Sequence, residues 1–198
     1  MNKRAKSNSI RIIAGQWRGR RISVVDSDGL RPTTDRVRET LFNWLMHDLA
    51  GASCLDLFAG SGVLGFECLS RGASDVDFVE MDKVVARNVQ QNLQEFLPNS
   101  DDEKANVNNQ DAIKFLNSGN RKQYDIVFVD PPFQSTLALE SLKLLSEGGW
   151  LNDNALVYLE IDSHNQAPKI PEGWELYRQG KAGQSAYYLY SIAGIEPS

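Results

Sequence analysis

The chain has 198 residues, 41% apolar and 24% charged, with a formal net charge of −5. This length suits one domain with a substantial core, and the apolar fraction excludes a disordered chain. No apolar run approaches the roughly 18 residues of a membrane helix. Behind the charged start at residues 1–6 only Ile10 to Ala14 follows, broken by Arg11, which is too short for the apolar segment of an export leader. Two cysteines, Cys54 and Cys68, are too few for a disulfide framework and lack metal-ligand spacing. The expectation is a soluble, cytoplasmic domain.

The mean charge hides a split. Residues 1–40 hold ten Lys/Arg against four acids, a balance of +6, whereas residues 41–198 hold eleven against twenty-two, a balance of −11. A polyanion responds to the local field rather than to the average, so nucleic acid remains a possible partner despite the acidic total. An ordinary solvated tail is the alternative.

In chain order, Ile10 to Ile13 and Arg21 to Val25 are β-branched runs joined by the Gly-bounded turn Gly15 to Gly19. The loop from Gly29 to Asp35 ends in good N-cap residues, and Val37, Leu41, Trp44, Leu45 and Leu49 then recur at helical spacing through about residue 49. Arg36 and Arg38 stand in the first turn of that helix, where the macrodipole disfavours cations and a nearby anion would relieve them. From residue 52 strands and helices alternate. Cys54 to Phe58 reads as a buried strand, followed by a Gly-rich turn and a helix to about Arg71. Val76 to Glu80 is the second strand, with a helix from about Asp82 to Phe96. A weak strand, Ala105 to Asn108, precedes Asp111 and a short helix. Ile126 to Asp130 is the clearest strand, and Ala155 to Ile161 another, after a helix around Leu137 to Leu145. Such alternation implies a parallel sheet covered on both faces. Trp174 to Arg178 and Ala186 to Ser191 are separated by a Gly-containing turn alone, which permits only antiparallel pairing.

Gly60-Ser61-Gly62-Val63-Leu64-Gly65 fits G-x-G-x-x-G between a strand and a helix, and Glu80 lies where a ribose-binding acid belongs. That pattern alone suits NAD, FAD or S-adenosylmethionine. Asp56, inside the first strand, favours the third, because a carboxylate there suits a cationic ammonium and repels a pyrophosphate. Asp111 either accepts from an adenine amine or caps the helix that follows it. Asp130-Pro131-Pro132-Phe133 decides between the cofactors. It follows the fourth strand, at the carboxyl end where open α/β sheets bind their ligands. Two prolines remove two backbone donors, so the loop offers only acceptors, the Asp130 carboxylate and peptide carbonyls. Acceptors suit the exocyclic amine of a nucleobase: two hydrogen bonds from it aim its lone pair at an electrophilic methyl, and Phe133 offers a stacking face. His47 and His164 lack ligand partners, so no metal is expected.

Asp56 to Gly62, Glu80 and Asp130 to Phe133 resemble the class I S-adenosylmethionine-dependent methyltransferases acting on exocyclic amines. Ile10-Arg11-Ile12-Ile13-Ala14-Gly15-Gln16-Trp17-Arg18-Gly19-Arg20 and Arg31-Pro32-Thr33-Thr34-Asp35-Arg36-Val37-Arg38-Glu39-Thr40-Leu41-Phe42 resemble more narrowly the bacterial 16S ribosomal RNA guanine-N2 methyltransferases that modify guanine 966. The likeness runs from about Ile10 to Tyr190 and includes the Ala182-Gly183-Gln184 turn. Ala14 departs from it, standing where a second glycine is expected. The resemblance implies a Rossmann-like α/β fold with a seven-stranded, mostly parallel sheet and one antiparallel strand. Residues 1–35 would be a basic arm and β-hairpin within the same domain, and residues 36–198 the methyltransferase domain. It further implies that Asp56, Phe58, Ala59, Gly60, Ser61 and Gly62 line the methionine end of S-adenosylmethionine. Glu80 would hold the ribose, with Met81, Asp111 and Ala112 around the adenine. Asp130 and Pro131, followed by Pro132, would grip the target amine, with Phe133 on the guanine. Arg11, Arg18, Arg20, Arg21, Arg31, Arg36 and Arg38 would hold the backbone of 16S ribosomal RNA, free or in a small-subunit particle, and the enzyme would act as a monomer. The rivals are a DNA adenine methyltransferase, for whose usual target-recognition region 198 residues leave little room, a nicotinamide-dependent oxidoreductase, and a non-catalytic RNA-binding module.

Overall fold

The computed structural model describes residues 8–25, 34–98, 104–119, 122–132 and 136–192. A two-stranded hairpin, β1 (Asn8–Arg11) and β2 (Arg21–Val24), leads to α1 (Asp35–Trp44). The chain then alternates through β3 (Ser53–Asp56), α2 (Val63–Ser70), β4 (Asp75–Val79), α3 (Lys83–Phe96), β5 (Ala105–Asn108), α4 (Ala112–Leu116), β6 (Tyr124–Val129), α5 (Leu137–Glu147) and β7 (Leu151–Asp162), and ends in the hairpin β8 (Glu175–Ala182) and β9 (Ser185–Ser191). Seven strands form one sheet in the order β5-β4-β3-β6-β7-β9-β8. Neighbours from β5 to β7 pair in parallel, and β9 alone runs against the rest, between β7 and β8. The expected mostly parallel sheet with one antiparallel strand is therefore present.

Alternation along the strands supplies two cores. Cys54, Val76, Phe78, Ile126, Phe128, Leu156 and Tyr158 face the hairpin and α1–α3. Leu55, Val79, Val127, Val129, Val157 and Leu159 face α4 and α5. The third glycine of the turn motif allows the first of these layers to close, since a Cβ on Gly65 would collide with the Phe78 ring of β4.

Some boundaries differ from the sequence expectation. Helix α1 stops at Trp44, and Leu45 caps it through its N–H on the Leu41 carbonyl. Leu45 and Leu49 are still buried, so apolar spacing persists after the backbone leaves the helix. Strand β7 begins at Leu151 rather than Ala155, through Asn152, Asp153 and Asn154, which carry no apolar alternation; Asn154 sits at φ 65°. Strand β8 continues to Ala182, paired to β9 along its length.

The N-terminal arm is clamped to the body. The Glu67 carboxylate of α2, fully buried, accepts from the Ile13 N–H at 2.7 Å, from Arg38 Nη1 at 3.1 Å and from Arg71 Nη2 at 3.2 Å. Arg38 also donates to the Arg11 carbonyl and to Asp35. Ser70 donates its hydroxyl to the Ala14 carbonyl at 2.6 Å and accepts from the Trp17 N–H. On α3, Asn92 brackets Ser23 by accepting from its N–H and donating to its carbonyl. Trp17 packs edge-on against Phe96, over which the Arg20 guanidinium lies at 3.8 Å.

Candidate active site

Four neighbouring strands, β4, β3, β6 and β7, carry acids on one face at or near their carboxyl ends: Glu80 and Asp130 directly follow β4 and β6, Asp56 ends β3, and Glu160 lies two residues before the end of β7. Asp56 stands in register with Phe78 of β4 and Phe128 of β6, and Phe128 with Tyr158 of β7. Two residues beyond those aromatics come Glu80, Asp130 and Glu160, which puts all three one step above Asp56 and on the α1–α3 side.

The turn after β3 reaches its shape through Gly60 at φ 50° and Gly62 at φ 77°, the latter opening α2. The Glu80 carboxylate closes this turn from the next strand. Its Oε2 accepts from the Gly60 N–H at 2.9 Å and its Oε1 from the Asp82 N–H at 2.7 Å. Each oxygen keeps a lone pair for a further donor. Asp56 lies beneath the turn, 2% exposed, with Oδ2 accepting from the Gly65 N–H at 3.2 Å. Burial pushes its carboxyl up to about 7, the Gly65 N–H opposes this, and the neighbouring Glu80 charge adds to it. Among the described residues no cation pairs with Asp56 or Glu80, so the pair fits a cationic ligand; a pyrophosphate would worsen the repulsion.

Of the other expected residues around the turn, Phe58 is half-buried, whereas Ala59, Ser61 and Gly62 are buried. Met81 is 73% exposed beside Glu80. Asp111 caps α4 by accepting from the Lys114 N–H at 2.9 Å, and Ala112 is buried in the core beneath it. Asn109, which sequence reading passed over, ties these loops together. Its amide donates to the carbonyls of Glu80 and Met81 at 2.8 and 3.1 Å. An asparagine after a short polar strand carries no sequence signal, so only the fold reveals it.

At the end of β6, Asp130 is half-buried, Pro131 buried and Pro132 exposed; Phe133 lies outside the described residues. Beside them Tyr158 donates its hydroxyl to Glu160 Oε2 at 2.8 Å. Burial, with the Glu160 and Asp130 charges, holds that phenol well above its ordinary range. Glu160 was also missed, although Ala155 to Leu159 followed by an acid repeats the pattern of the other strands.

Arg11, Arg18, Arg20, Arg21 and Arg36 are exposed, and Arg11 pairs with Arg21 across the hairpin. Arg31 lies outside the described residues. Arg38 corrects the sequence expectation of an RNA contact: its side chain is 0% exposed and is held by Glu67 and Asp35. The anion expected near the start of α1 is thus part of the protein itself.

This sheet order, with a glycine turn after one central strand and an acid closing the next, defines the Rossmann-like fold of class I methyltransferases. A family model described as "Conserved hypothetical protein 95" matches residues 10–191. Ribosomal RNA small subunit methyltransferase D of Escherichia coli K12 is 50% identical over 184 residues, covering 93% of this chain and 90% of the relative. The protein of the same name from Haemophilus influenzae is 50% identical over 183 residues, covering 91% and 93%. The solved Escherichia coli protein yhhF superposes with a TM-score of 0.86 at 47% identity, over 94% of this chain and 99% of that one. The chain belongs to the ribosomal RNA small subunit methyltransferase D family.

Proposed function

We propose that this protein transfers the methyl group of S-adenosylmethionine to the exocyclic N2 amine of a guanine in 16S ribosomal RNA, the guanine at position 966 by its resemblance. The observation that carries this reading is the acceptor-only loop of Asp130, Pro131 and Pro132 on the strand next to the Asp56 turn. The names of its relatives support the RNA substrate.

S-adenosylmethionine supplies an electrophilic methyl on a cationic sulfonium. The Glu80 carboxylate, held between Gly60 and Asp82, would accept from the ribose hydroxyls. Met81 and the Asp111 loop border the adenine, and Asp56 favours the cation from beneath. Asp130 and the Pro131 carbonyl accept the two N–H bonds of the target amine, turning its lone pair toward the methyl for direct in-line displacement. The amine becomes acidic only as the new bond forms, so Asp130 orients first and takes the proton afterwards. Most of the acceleration lies in positioning, for which about 7–11 kcal/mol is available in favourable cases. The target base leaves its stack to reach the loop, which favours an unpaired or extruded nucleotide. The exposed arginines of the hairpin and α1 meet the RNA backbone.

The test is methylation of naked 16S RNA and of small-subunit particles with labelled cofactor, followed by mapping of the modified nucleotide. Label on N2 of one guanine is expected. Label on adenine, or on DNA alone, overturns the reading, as does tight NAD binding without S-adenosylmethionine binding.

A further inference from the structure

We infer that Glu160 selects guanine by accepting the N1–H of the target base while Asp130 holds its N2 amine. The inference rests on the proposed methyl transfer and names a residue that determines its base specificity.

Three features of β7 carry it. First, β7 pairs in parallel with β6 through Phe128 with Tyr158 and Val129 with Leu159, so Asp130 and Glu160 are the next residues up on adjacent strands. Neighbouring strands lie about 4.8 Å apart, a spacing at which two carboxylates can engage adjacent groups of one base edge. Second, strand alternation turns both side chains to the α1–α3 side, the side on which Asp56 and Glu80 also lie. Third, Glu160 is 3% exposed, and among the described residues no cation pairs with it. Its hydrogen bond comes from the Tyr158 hydroxyl, which fixes the carboxylate and leaves further lone pairs to accept. A buried carboxylate without a cation is costly in a strand that is otherwise apolar from Ala155 to Leu159. Accepting from the Tyr158 hydroxyl uses one of its oxygens and brings no positive charge, whereas a donor arriving with the substrate would offset that cost.

Guanine brings such a donor. Its Watson–Crick edge presents N1–H beside the N2 amine, two donor groups in a row. Adenine presents an N1 lone pair beside its amine, which a carboxylate repels. A site built to accept a specific N–H rejects an analogue lacking it far more strongly than an apolar pocket rejects a missing methylene.

The decisive probe is 2-aminopurine, which keeps the 2-amine and replaces N1–H by a lone pair. Small-subunit particles are assembled on RNA carrying either guanine or 2-aminopurine at the mapped position, and kcat/KM is measured for each. Wild-type enzyme is expected to prefer guanine by more than about 100-fold. In Glu160→Gln the carboxamide still accepts from Tyr158 and can donate to N1, so the preference is expected to fall within about tenfold. Equal use of both bases by the wild type overturns the inference without any variant, and so does a variant that loses activity on both in the same ratio. A wild type that labels neither particle overturns the methyltransferase reading itself; label on guanine with an unmoved ratio overturns only the role of Glu160.

Discussion

Burial raises the Asp56 carboxyl to about 7, which ties both folding and ligand binding to pH. The folded protein without cofactor holds a proton that the unfolded chain releases above its ordinary value of 3.8. The contribution of Asp56 to stability is therefore fully present below that value and is lost as the pH rises through about 7. A bound cation favours the carboxylate, so cofactor binding expels this proton. Affinity for S-adenosylmethionine should rise between pH 6 and 8 and then level off. Calorimetry in buffers of differing ionisation enthalpy should detect the released proton in the wild type and none in Asp56→Asn. Asp130 predicts the opposite separation. Asp130→Ala should lower kcat by about 100-fold or more while leaving cofactor affinity close to wild type, as single-turnover rates and equilibrium binding would show. Equal loss of both would remove its orienting role.

At the scale of elements, the Arg38–Glu67 pair decides whether the hairpin stays seated. Both side chains are fully buried, and removing Arg38 leaves the Glu67 carboxylate with Arg71 as its one remaining ion-pair partner among the described residues. Arg38→Met should cost about 2–3 kcal/mol in denaturant unfolding, below the full cost of an unpaired buried charge because Arg71 stays. Amide exchange at Ile12 and Ile22, both fully buried, should accelerate with it. The sequence could announce this pair only in part. Arg38 declared its need for an anion by standing in a helix's first turn, but Glu67 lies 29 residues away, inside a helix whose every residue is buried. Local signals read better. Asp111, open between an adenine contact and a helix cap, does cap α4, and Asp82, the expected start of the helix after the second strand, caps α3. Asp130 was legible by the two prolines after it, Asp56 by the glycine turn that follows its strand, and Glu80 by its distance from that turn. Glu160 lacks that punctuation, and Asn109 acts only across two loops, so neither could be singled out before the strands were in register.

For the whole molecule, the charge split of the sequence becomes a division of labour. Four acids of the body, Asp56, Glu80, Asp130 and Glu160, gather toward the carboxyl ends of adjacent strands, and the cations of the first forty residues lie exposed on the hairpin and α1, apart from Arg38 and those outside the described residues. Replacing Arg18, Arg21 and Arg36 together by Gln should weaken RNA binding. Each replaced residue that meets a phosphate should take about 0.7–0.9 off the slope of log affinity against log salt. Folding stability should change little, because all three side chains are exposed. Arg20 is left out of that set because its guanidinium packs on Phe96. The seating of the hairpin also bears on synthesis. Residues 8–24 leave the ribosome before their anchors Glu67, Ser70, Asn92 and Phe96, which follow up to 88 positions after Asn8. An isolated two-stranded hairpin is marginal in water. The most basic stretch of the nascent chain therefore waits, unseated, until α3 has emerged.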